Sequence, residues 1–242
     1  MLFYDQLGNG NSTHLRERKG DGDFWTPELF VRELHNLVDH LGIRSRHCVL
    51  GQSWGGFLAQ EYALTQPEGL RSLVLANTAA SFPDFVAEAN RLRAELPPEA
   101  EETLRRHEAA GTTDDPEYEE ACMVFYKRHL CRLDPWPEEV ARAFQLLEED
   151  PTVYHTMNGP SEFHVIGSIK DWQSKDRLGE IRVPTLVVSG SYDEATPTLQ
   201  ETLVAGISET EQVICEESSH MPFWEERERF MAVVDDWLRR HD

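Results

Sequence analysis

The stretch "HCVLGQSWGGFLAQEYALTQ" constrains this chain more than any other. A short apolar run reaches Gly51-Gln52-Ser53-Trp54-Gly55, and an apolar-faced helical pattern follows at once. The pattern G-x-S-x-G in that setting predicts a strand, a sharp turn carrying Ser53, and a helix. A serine held on such a strained turn needs neighbours almost free of side chains, which the glycines supply. Its hydroxyl then stands above the sheet edge at a helix N-terminus. Taken alone, the five residues also fit an ordinary strand-to-helix turn.

The same rhythm runs through both ends of the chain. Leu2 to Tyr4 reads as a short strand starting at the first residue, with no secretory leader ahead of it. "TPELFVRELHNLVDHLGI" reads as a helix capped by Thr26, with Pro27 in its first turn and Gly42 at its end. Leu29, Phe30, Leu34, Leu37, Val38 and Leu41 share one face of it. "LRSLVLAN", "VPTLVVSG" and "EQVICEE" read as further strands. The last helix carries Phe230, Val233, Val234, Trp237 and Leu238 at helical spacing. Strands alternating with helices imply a mostly parallel sheet covered on both faces. From Ser81 to Val165 the pattern becomes charged, aromatic and helical, broken at Pro97, Pro116, Pro135 and Pro151. Four or five short helices are expected there. They form an inserted cap (81–165) on a core made of 1–80 and 166–242.

The acids number 44 and the bases 23, for a net charge of −21. Such a field repels nucleic acid and anionic membranes, attracts cations and favours solubility. No run approaches the ~20 apolar residues of a membrane span. The four cysteines lack metal spacing and read as free thiols of a reducing compartment. "HEAAG" at His107 lacks the second histidine of a zinc motif, so no metal and no cofactor are expected.

A serine attacks well only when a base takes its proton and an acid orients that base. "VVSGSYDEATP" places Asp193 just past one strand, and "CEESSHMPFWEE" places His220 just past the next. Read singly, Asp193 is a turn-former and His220 a helix cap. In the order serine, acid, histidine, each in a loop after a strand, they make a triad at one sheet edge. The backbone N–H of Trp54 would be one oxyanion donor.

"YDQLGNGNS", "GQSWGG", "MNGPSEF", "GSYDEATP" and "SHMPFWEE" together resemble the proline iminopeptidase branch of the α/β-hydrolases. The resemblance runs from Tyr4 to the last helix and implies an α/β-hydrolase fold with Ser53, Asp193 and His220 as the triad. It also implies that Glu162 and Glu194, which read alone as solvated surface acids, bind the ammonium of an N-terminal residue. A cation entering a dry pocket needs carboxylates in place of its water. Phe85, Tyr126, Trp136 and Phe163 are candidates to wall a pocket for a proline ring, or else ordinary cap core.

Members of that branch carry first strands and a glycine-rich "HGGPG" loop ahead of "YDQ". Those N-terminal strands are missing here, so Met1 is internal to a longer protein, the chain is a fragment, or "LFYDQ" pairs directly with "HCVLG". The expected activity is cytoplasmic release of an N-terminal residue, most of all proline, from peptides, amides or arylamides. An amino-acid amidase, an esterase of the same fold and a crippled homologue that only binds free-amine peptides are the alternatives.

Overall fold

Four strands pair in parallel in the order β1-β2-β3-β4 in the computed structural model, which describes residues 1–241. They are β1 (His47–Gln52), β2 (Leu70–Ala76), β3 (Thr185–Gly190) and β4 (Thr210–Cys215). Helix α1 (Pro27–His40) precedes β1, and α2 (Trp54–Leu64) links β1 to β2. Five α-helices separate β2 from β3: α3 (Phe82–Arg93), α4 (Pro98–Ala110), α5 (Pro116–His129), α6 (Glu138–Glu149) and α7 (Thr152–Met157). Helix α8 (Pro197–Gly206) joins β3 to β4, and α9 (Pro222–Glu225) and α10 (Arg227–His241) close the described chain.

Side chains alternate across a strand, so a strand buried on both faces is apolar throughout. Strand β2 shows the consequence. Leu73 and Leu75 pack with Leu34, Val38, Tyr62 and Leu203 from α1, α2 and α8. Val74 and Ala76 turn to the other face and meet Phe230, Val234 and Trp237 of α10. Helix α1 starts where its capping residue predicts, because the Thr26 hydroxyl accepts the Leu29 N–H. Helices α3, α4 and α5 have their own cluster with the segment after α7, built on Leu92, Leu104, Tyr118, Phe125 and Phe163.

The expected strand at Leu2–Tyr4 is not formed, and among the described residues no strand pairs with the outer edge of β1. A strand exists only through ladder hydrogen bonds, and the residues that follow this segment spend theirs on turns and side chains instead. The Asp5 carboxylate accepts the N–H of Asn11, and the Asp5 carbonyl accepts the Ser12 hydroxyl. The Leu7 N–H goes to Glu33. Tyr4 packs against the core, whereas Leu2 and Phe3 are 53% and 83% exposed. Direct pairing of "LFYDQ" with "HCVLG" is thereby overturned.

Candidate active site

Ser53 caps the N-terminus of α2 with φ 53° and ψ −122°, in the left-handed half of backbone space. A non-glycine residue held there stores about 1–3 kcal/mol. The surroundings enforce it: the Ser53 N–H is tied to the Ala76 carbonyl at 3.0 Å, and the chain recrosses itself closely behind the serine. A Cβ on Gly51 would stand 2.0 Å from the Gly55 carbonyl oxygen, and one on Gly56 would stand 2.5 Å from Thr78. A Cβ on Gly55 would meet nothing within 4 Å. The close approaches therefore need Gly51 and Gly56. The second glycine of the motif is not sterically required.

Asp193 and Glu194 lie in the loop after β3, and His220 in the loop after β4. The β4 loop is pinned by Glu225, whose carboxylate accepts the N–H of Ser219 at 2.8 Å and that of Met221 at 3.3 Å. His220 Nδ1 donates to Asp193 Oδ1 at 2.6 Å. That bond sets the tautomer and leaves Nε2 toward the cavity. The remaining capacity of Asp193 is also used. Its Oδ1 accepts the Ala195 N–H at 2.9 Å, and its Oδ2 accepts the Asn77 side-chain amide at 2.6 Å. Asn77 stands just past β2 with φ 51°, and its amide also reaches the Ser219 carbonyl at 3.3 Å. The Gln52 amide donates to the His220 carbonyl at 3.2 Å. Asn77 and Gln52 had no signal in the sequence, because their partners lie more than a hundred residues away.

Ser53, Trp54 and His220 line one cavity of about 570 Å³, together with Phe85, Tyr154 and Glu162. That volume suits a small ligand. The Trp54 N–H belongs to the first turn of α2, where amides have no intrahelical acceptor. Its indole N–H is held by the Gln6 side chain at 3.1 Å.

Both glutamates depart from the solvated reading. Glu162 takes the Tyr154 hydroxyl on Oε1 at 2.7 Å, and its N–H reaches the Tyr126 hydroxyl at 3.4 Å. Glu194 is fully buried, and neither carboxylate oxygen has a hydrogen-bond partner among the described residues. Its Oε1 lies 3.8 Å from His220 Nε2. Burial pushes both carboxyls up, which the nearby His220 offsets; Tyr154 offsets it further at Glu162, while Glu162 and Asp193 add to it at Glu194. Burial disfavours charge on His220, but the Asp193 and Glu194 carboxylates outweigh it and push the imidazole up to about 9. Of the candidate wall aromatics, Phe85 lines the cavity, whereas Tyr126, Trp136 and Phe163 pack in the helical cluster.

Residues 2–227 match the family model for the alpha/beta hydrolase fold. The chain is 38% identical over 238 residues to a proline iminopeptidase of Saccharolobus solfataricus, covering 98% of this chain and 75% of that protein. It is 36% identical over 244 residues to a proline iminopeptidase of Heyndrickxia coagulans, covering 98% and 81%. Among solved structures, that of VinJ superposes with a TM-score of 0.96 at 50% identity, covering 99% of this chain and 80% of that one. The proline iminopeptidase of Mycobacterium smegmatis superposes with a TM-score of 0.89 at 47% identity, covering 98% and 79%.

Proposed function

The chain belongs to the α/β-hydrolase fold family and, within it, to the proline iminopeptidases, and from that premise we propose that it is a serine hydrolase releasing an N-terminal residue, proline foremost, from peptides or amino-acid arylamides. One observation carries the reading: the Asp193–His220 pair opens onto the cavity of Ser53, which Glu162 also lines and no lysine or arginine among the described residues does, and the buried Glu194 stands 3.8 Å from His220.

In this reading His220 Nε2 takes the proton of Ser53, and the freed oxygen attacks the carbonyl next to the bound amine. Asp193 keeps His220 oriented and stabilises the imidazolium. The Trp54 N–H takes the developing oxyanion. His220 then returns the proton to the leaving amine, and water clears the acyl-enzyme by the same route. Glu162 and Glu194 hold the substrate's ammonium, which sets a length of one residue from that charge to the scissile carbonyl. A neutral ester would displace the solvent near Glu162 and bring no cation in exchange, at a cost in free energy. That cost favours amino-acid substrates over simple esters. The five helices α3–α7 serve as a cap over the serine. The four unpaired cysteines fit a reducing compartment, and a cytoplasmic setting follows from that. No helix among the described residues is long and apolar enough to cross a membrane.

Turnover of an L-prolyl arylamide by the wild type and by Ser53→Ala tests the mechanism. Loss by about 10⁴–10⁶ is expected, and activity surviving the change would refute it.

A further inference from the structure

Glu194 poses a problem of charge. Three carboxylates surround His220: Asp193 and Glu194 from the β3–α8 loop, and Glu162 from the segment after α7. The other titratable groups facing this cluster bring no permanent charge. They are the Tyr126 hydroxyl from α5, the Tyr154 hydroxyl from α7, and His129 from α5, which burial lowers toward the neutral form. Among the described residues, no lysine or arginine lines the cavity. Among the described residues three donors answer Asp193 and none answers Glu194. Its ion-pair partner is His220 Nε2 at 3.8 Å. Ser53 Oγ and His220 Nε2 share the cavity but form no hydrogen bond with each other among the described residues. The outer nitrogen of His220 stands close to Glu194.

We propose that His220 stands in for the substrate's ammonium in the free protein, so that a free amine settling on Glu194 and Glu162 expels the proton that His220 carries on Nε2 and thereby makes His220 a base. The inference rests on the amine-binding reading above. The amine arrives protonated and keeps its proton. The Nε2–H bond breaks, the proton passes to solvent, and the Nε2 lone pair is left for Ser53. One cation replaces another, so the charge of the cluster is unchanged. Keeping both would set two cations against the same carboxylates in a dry site. The high basicity of His220 agrees with a proton resident there at neutral pH. Selection then acts on the chemical step as well as on binding. A neutral or N-acylated substrate occupies the cavity without discharging the base.

Calorimetric titration with L-prolinol, a cationic alcohol that cannot be hydrolysed, reads the linkage directly. Run at neutral pH in buffers of different ionisation enthalpy, it should show release of about one proton per molecule bound. Binding without proton release would overturn the inference and leave the amine reading intact. If prolinol bound no better than N-acetylprolinol, both would fall. Kinetics give a second readout. The acid limb of kcat reports the complex and that of kcat/KM the free enzyme. With an L-prolyl arylamide the kcat limb should lie lower by about one pH unit or more, whereas with a neutral ester the two should coincide. Coincident limbs for both substrates would overturn the inference.

Discussion

Asn77 donates its side-chain amide to Asp193 Oδ2 at 2.6 Å across 116 residues of sequence, from a backbone held at φ 51°. The bond makes Asn77 the support of the acid that orients His220. Asn77→Gly keeps the left-handed backbone free of strain and removes only the amide. A lost hydrogen bond to a buried charge is worth about 1.5–3 kcal/mol. The expected result is a kcat about 10–100-fold lower on a prolyl arylamide, with Ser53 still labelled, more slowly, by a fluorophosphonate. An unchanged kcat would show that Asp193 needs no such support.

Ser53, the proposed nucleophile, sits on a strained backbone. Ser53→Gly should abolish turnover yet raise stability, since glycine occupies positive φ without penalty. Relief of about 1 kcal/mol corresponds to a rise of about 2–4 °C in Tm for a domain of this size. A lower Tm than wild type would mean that the turn is not strained.

Gly51 and Gly55 should respond in opposite directions. Gly51→Ala drives a methyl into the Gly55 carbonyl, and overpacking of this kind costs about 1–3 kcal/mol or more. Gly55→Ala meets open space inside α2, and alanine is favoured over glycine in a helix by about 0.8–1 kcal/mol. Thermal melts of the two variants check this. Equal destabilisation would contradict the geometry of the turn.

Stability should depend on pH through His220. Its folded pKa of about 9 lies above the ordinary value of 6.5. A raised value of this kind stabilises fully below pH 6.5, and the gain is lost as pH rises through 9. Ligand-free protein should therefore lose up to about 3 kcal/mol over that window, and His220→Gln should flatten the decline. Stability that rose over the same window would reverse the sign of the His220–carboxylate coupling.

Much of this was legible locally. All four strands of the sheet stand out as apolar runs, and α1 is bounded by its own capping residues. Ser53, Asp193 and His220 each follow a strand, so the parallel topology that the alternation implies brings them to one edge. What stayed hidden depends on contacts remote in sequence. Nothing near Asn77 marks it as a partner of Asp193, and nothing near Glu194 reveals its burial. The need for Gly56 comes from Thr78, on the far side of β2. Leu2–Tyr4 misled because its apolar pattern fits a strand, whereas ladder partners, which no local pattern contains, decide whether one forms.

The most direct measurement is kcat/KM of the wild type for an L-prolyl arylamide and for the same compound N-acetylated. Glu162 and the buried Glu194, if they read a free ammonium, predict a preference of about 100-fold or more for the free amine, as expected for loss of a charged partner. Equal rates on the two compounds would contradict the account, because Glu162 and Glu194 would then play no part in choosing the substrate.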